Sequence, residues 1–94
     1  MAVCDITVIP GGLSRDTYAA VDQVIEIIIN SGLVYKVGAM STSVEGETKD
    51  LFELAYKCHE KAVEIGAKDV ITQFRIHESQ IYDDTILGKT GKYQ

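Results

Sequence analysis

An α+β sandwich, a four-stranded antiparallel sheet with two helices on one face, is the fold this sequence predicts. Apolar residues alternate at period two near both ends of the chain, and two intervening stretches carry apolar stripes at helical spacing. The resulting order is strand, helix, strand, strand, helix, strand, and right-handed crossovers then send both helices to the same side of the sheet. With 94 residues, of which 46% are hydrophobic and 24% charged, the chain has material for a single core.

Ala2 to Ile9 reads as the first strand, with Cys4, Ile6 and Val8 on one side and Val3, Asp5, Thr7 and Ile9 on the other. Pro10-Gly11-Gly12 ends it, and Ser14 is placed to cap a helix carrying Tyr18, Val21, Val24, Ile25 and Ile28. Gly32 stops that helix. Leu33 to Val37 and Met40 to Glu45 form a hairpin of two short strands around Gly38-Ala39. Thr48 reads as the N-cap of a second helix, whose Leu51, Leu54, Ala55, Cys58, Ala62 and Ile65 recur at helical spacing until Gly66. Asp69 to His77 returns as the fourth strand. Residues 1–78 thus make the domain, and the polar, glycine-containing tail 79–94 stays unassigned.

With both helices on one face, the other face of the sheet is open. If Cys4, Ile6 and Val8 look toward the helices, the open face takes Asp5, Thr7 and Ile9 from the first strand. It takes Ser41, Ser43 and Glu45 from the third, and Ile71, Gln73, Arg75 and His77 from the fourth, with Tyr35 beside them. Hydroxyls and charged groups among apolar walls suit a compact heteroaromatic ligand held by a few directed hydrogen bonds. The same face also fits a solvated surface with a cross-strand pair of Asp5 and Arg75, or a contact between sheets of an oligomer.

A net charge of −5 without a Lys/Arg cluster speaks against a nucleic-acid partner, whose affinity rests on cationic neutralisation. The longest apolar run, Val24 to Ile29, is far short of the roughly 20 residues a membrane span needs. The N-terminus lacks a basic region before its first apolar run, so a cytoplasmic protein is expected. Cys4 and Cys58 have no C-x-x-C partner and read as small buried hydrophobes.

Gly88-Lys89-Thr90 resembles the end of a phosphate-binding loop, but Asp83 stands where that loop needs its first glycine. His59-Glu60 opens like a zinc-protease helix, but Val63 occupies the position of the second histidine. No metal, cofactor or catalytic constellation is therefore expected, and His59 and His77 read as hydrogen-bonded boundary residues.

Four segments carry a resemblance. These are D-I-T-V-I-P at Asp5 to Pro10, S-G-L-V-Y-K-V-G-A-M at Ser31 to Met40, S-V-E-G ending at Gly46, and C-H-E-K-A-V-E-I-G-A-K-D-V at Cys58 to Val70. In that order and spacing they resemble the small thiamine-binding proteins, a ferredoxin-like βαββαβ family whose members bind thiamine or hydroxymethylpyrimidine. The resemblance implies non-catalytic binding in salvage, transport or buffering, and a homotetramer built by joining sheets edge to edge and then face to face. The alternative is a structural or regulatory oligomer that uses the open face for self-association; a small enzyme on the same fold is a further rival. The expected ligand set is Asp5, Thr7, Ile9, Tyr35, Met40, Ser41, Thr42, Ser43, Glu45 and Arg75. Within it, Tyr35 offers a ring for stacking, and Asp5 and Glu45 offer charge to the thiazolium.

Overall fold

The computed structural model describes residues 1–13 and 17–93, so the expected Ser14 cap lies outside the described residues. Four strands, β1 (Ala2–Gly11), β2 (Val34–Val37), β3 (Thr42–Gly46) and β4 (Asp69–Glu78), form one sheet in the order β2-β3-β1-β4. Every pairing is antiparallel. Helices α1 (Thr17–Ile29) and α2 (Thr48–Ile65) pack on one face, and a short α3 (Ile86–Thr90) follows in the tail. This is the ferredoxin-like arrangement the sequence predicts.

The core lies between sheet and helices. Ala2, Cys4 and Ile6 from β1 and Val44 from β3 meet Val24 and Ile28 of α1 and Leu51, Leu54, Ala55, Cys58 and Ala62 of α2. The spacing on α2 keeps its buried residues on one stripe. Each fully buried branched side chain contributes about 1.5–3 kcal/mol relative to exposure. Burial also pushes the Cys4 thiol up to about 12, with the Asp5 charge adding to the effect, and the Cys58 thiol up to about 11. At neutral pH both remain protonated and act as small apolar groups.

Element boundaries differ from the expected ones in instructive ways. β1 continues through Pro10 to Gly11, and the Lys68 amide donates to the Gly11 carbonyl at 2.8 Å. Proline is tolerated because β3 pairs only with Ala2 to Ile6; from Thr7 onward β1 has a strand neighbour on the β4 side alone. Thr48 is the first residue of α2 rather than its cap. Glu47 is the cap, without a side-chain bond, and the Thr48 hydroxyl donates to the Glu78 carboxylate instead. Gly66 ends α2 in the left-handed region at φ 109°, and the Ala67 amide reaches the Ala62 carbonyl at 3.3 Å, the closing bond of a Schellman turn. Tyr18, expected on the buried stripe of α1, is 82% exposed, and Ala20 takes its place among the buried residues. None of the described helices is long and apolar enough to cross a membrane.

Candidate functional site

Directly paired residues on adjacent strands share a face, so register alone assembles the uncovered side of the sheet. Asp5 stands between Ser43 and Arg75 in one row, Val3 between Glu45 and His77 in the next, and Thr7 pairs with Gln73 and Ile9 with Ile71. The alternation of β1, β3 and β4 is thus the one read from the sequence. A groove of about 620 Å³ opens on this face, lined by Asp5, Thr7, Met40, Ser41, Gln73, Phe74 and Arg75. Ile9 and Ile71 lie beyond it, 46% and 59% exposed.

The turn between β2 and β3 closes one side of the groove. The Gly38 amide donates to the Ser41 carbonyl at 2.9 Å, and the Thr7 hydroxyl donates to the Met40 carbonyl at 3.2 Å. A Cβ at position 38 would stand 2.8 Å from the Ser41 carbonyl oxygen, so the turn in this form requires glycine. Met40 and Ser41 therefore sit in the turn itself rather than in the third strand.

Two carboxylates of the open face, Asp5 and Glu45, are already engaged, while Asp69 shares the face at its far end, paired with Gly11. Arg75 Nε donates to the Asp5 carboxylate at 3.1 and 3.2 Å and its Nη2 at 2.5 Å. These hydrogen bonds hold the Asp5 carboxyl below its usual range, against the opposing effect of burial. Glu45 Oε1 accepts from the backbone amide of Ile86 at 3.0 Å, at the start of α3.

The tail thus folds back over the Val3 end of the open face. Its anchor is Asp84, 3% exposed, whose Oδ2 lies 2.5 Å from His77 Nδ1 and 3.1 Å from Lys89 Nζ. Lys89 Nζ also lies 2.9 Å from His77 Nδ1, so the three side chains form one contact cluster. Thr85 caps α3, accepting from the Gly88 amide at 2.9 Å, and the N-terminal amine meets Asp83 at 3.4 Å. Gly88-Lys89-Thr90 is part of this short helix rather than of a strand-to-helix loop.

Two of the expected ligand residues stand on the other side of the sheet. Thr42 pairs with Ile6 and is 5% exposed, facing the helix layer. Tyr35 pairs with Val44, which is fully buried beneath the helices, so its ring points away from the open face and the expected face is corrected. On β2 it is Val34 and Lys36 that share the face of Glu45 and Ser43. The expected boundary role of His59 has a partner: its Nδ1 lies 2.7 Å from the Thr72 hydroxyl on the helix side. Among the described residues no cluster of His, Cys, Asp or Glu has the geometry to hold a metal. Sequence reasoning missed the Asp84–His77–Lys89 cluster, because one acidic residue in a polar tail carries no periodic signal.

A ferredoxin-like sandwich with a polar groove on its uncovered face has the architecture of a small ligand-binding protein. The chain belongs to the thiamine-binding protein family, whose model matches residues 4–94. It is similar to the UPF0045 protein CPE1503 of Clostridium perfringens, with 34% identity over 96 residues and full coverage of both chains. Among solved structures it is similar to a Bacillus cereus domain of unknown function, DUF77. The TM-score there is 0.94 with 35% identity, covering 99% of this chain and 89% of the other. It is also similar to the Thermotoga maritima protein TM0486, whose name suggests a place in thiamine biosynthesis or salvage. That match has a TM-score of 0.88 and 27% identity, and covers 99% of this chain and 98% of the other.

Proposed function

We propose that the protein binds thiamine or its hydroxymethylpyrimidine moiety in the cytoplasm without transforming it, for salvage, transport or buffering. The observation that carries this reading is the groove where Asp5, Thr7, Ser41, Gln73 and Arg75 converge beside the Gly38–Ser41 turn. An aminopyrimidine edge alternates donors and acceptors. The Ser41 hydroxyl and Gln73 amide offer both kinds of partner, and the Met40 thioether gives a polarisable wall. Family membership over residues 4–94 supports the same ligand class.

Thermal unfolding of the full chain with thiamine, hydroxymethylpyrimidine and the thiamine phosphates tests the proposal. A ligand at a hundred times its Kd stabilises the native state by about 2.7 kcal/mol. The expected result is a midpoint raised by thiamine or the pyrimidine and unmoved by an unrelated pyrimidine such as uracil. No shift with either compound would overturn it.

We also propose that the protein is a homotetramer, assembled first through strand edges and then through sheet faces. β4 is an edge strand of ten residues, and Ile9 and Ile71 present apolar surface on the open face, both features that favour association. The same apolar pair favours the second reading, an oligomer whose open face serves contact alone. Sedimentation equilibrium at micromolar concentration is expected to give four chains per particle, with the ligand bound stoichiometrically. A tetramer without ligand binding would favour the contact reading, and a monomer would contradict both.

A further inference from the structure

Thiamine carries a permanent positive charge, and the two open-face carboxylates nearest the groove are taken, Asp5 by Arg75 and Glu45 by the Ile86 amide, while Asp69 stands at the far end of that face beside Gly11. A carboxylate is available on the other side of the same turn. There a cleft of about 290 Å³ opens between α1 and the Gly38–Ser41 turn. Its floor is the core itself, with Ile6, Val24 and Ile28 all under 5% exposed. Tyr18 and Met40 line it too, 82% and 86% exposed. Asp22, exposed on α1, is the one charged residue among the described residues that line it, and it makes no ion pair among them.

The cleft and the open-face groove share Thr7, Met40 and Ser41. The unequal lengths of the strands are the reason. β3 stops opposite Ile6 while β1 runs on to Gly11, which leaves a notch in the sheet beside Thr7 that the turn only partly fills. The two depressions therefore meet at the notch instead of being separated by an unbroken sheet.

We propose that this cleft is the cation-binding half of the ligand site, in which Asp22 faces the charge of a flat, singly positive heteroaromatic ring of thiazolium size. The inference rests on the ligand-binding reading above and adds to it a second compartment and a charged partner. Three features select that chemistry. The volume lies at the lower end of the roughly 300–1,000 Å³ typical of small-molecule pockets, enough for one ring, so a two-ring ligand must extend into the groove. Apolar walls and an aromatic ring favour a delocalised, weakly hydrated cation over an ammonium, which holds its water more firmly. A lone carboxylate repels a phosphate on the arm of the same ring, so the free alcohol is preferred to its phosphate ester.

Isothermal titration of the full chain tests this with thiamine, hydroxymethylpyrimidine, thiamine monophosphate and a simple N-benzyl thiazolium salt. Asp22→Asn is expected to weaken thiamine and the thiazolium salt about fivefold, the effect of a solvent-exposed charge pair. It should leave the neutral pyrimidine unchanged and narrow the gap between thiamine and its monophosphate. Val21→Trp, which fills the cleft from α1, should remove thiazolium binding and spare the pyrimidine. If thiamine binds the wild type and Asp22→Asn equally well, the inference falls while the ligand-binding reading stands. If the thiazolium salt binds in an Asp22-dependent way but thiamine and the pyrimidine do not, the cleft stands and that reading falls. If nothing binds the wild type, both fall.

Discussion

Leu51→Ala is expected to destabilise the fold by about 2–5 kcal/mol, the range for removing a fully buried leucine whose surroundings relax only partly. Leu51 is 0% exposed at the start of α2, and its Cδ2 packs 3.6 Å from the point where a Cβ on Gly46 would stand. Truncation thus opens a cavity where α2 meets the edge of β3. At about 4–8 °C per kcal/mol for a chain of this length, the thermal midpoint falls by at least about 8 °C. Leu51 lines neither the open-face groove nor the cleft beside α1, so ligand affinity measured well below the midpoint should hold. A midpoint change near zero would show that Leu51 is not part of the core.

Asp84→Asn is expected to release the tail from the open face without unfolding the sandwich. The carboxylate is buried and accepts from two groups, and removing a partner from such a charge-assisted set costs about 1–3 kcal/mol of docking free energy. Amide hydrogen exchange reads the outcome directly. Protection at Ile86, whose amide donates to Glu45, and at Gly88, whose amide donates to Thr85, should drop, while that of β1 stays. Acid should mimic the substitution. Burial pushes the Asp84 carboxyl up, but the hydrogen bonds from Lys89 and His77 outweigh it and leave the pKa below the ordinary 3.8. A carboxyl lowered in the folded state contributes stability above its unfolded pKa and loses it as pH falls through the folded value. The tail should therefore hold at pH 5 and undock below about pH 4. Unchanged exchange at Ile86 in Asp84→Asn would mean that Glu45 and Thr85 suffice to hold α3.

The sandwich was legible because its signals are local and repeated. Ile6 and Val8 against Asp5 and Thr7 fix the phase of β1, Leu51 to Ile65 fix the buried stripe of α2, and Gly66 marks its end. The open-face rows of β1, β3 and β4 follow from the same alternation. Tyr35 was misplaced because β2 is only four residues long and exposed along its whole length, so no burial contrast sets its phase. The ion cluster of His77, Asp84 and Lys89 joins residues from a strand and a tail with no common period, and only the folded chain brings them together. The cleft beside Asp22 depends on the mismatch in length between β1 and β3. Sequence reasoning ended β1 at Ile9, before the proline that the notch accommodates.

The central claim is that a thiamine-type ligand binds where the open-face groove meets the Gly38–Ser41 turn. Mapping backbone amide NMR shifts of the full chain during a thiamine titration tests it most directly. The account predicts saturable changes concentrated at Thr7, Met40, Ser41 and Gln73, with little change in the groove between α1 and α2 at Asn30, Glu53 and Lys57. Saturable changes confined to that interhelical groove, or no saturable change at all, would contradict it.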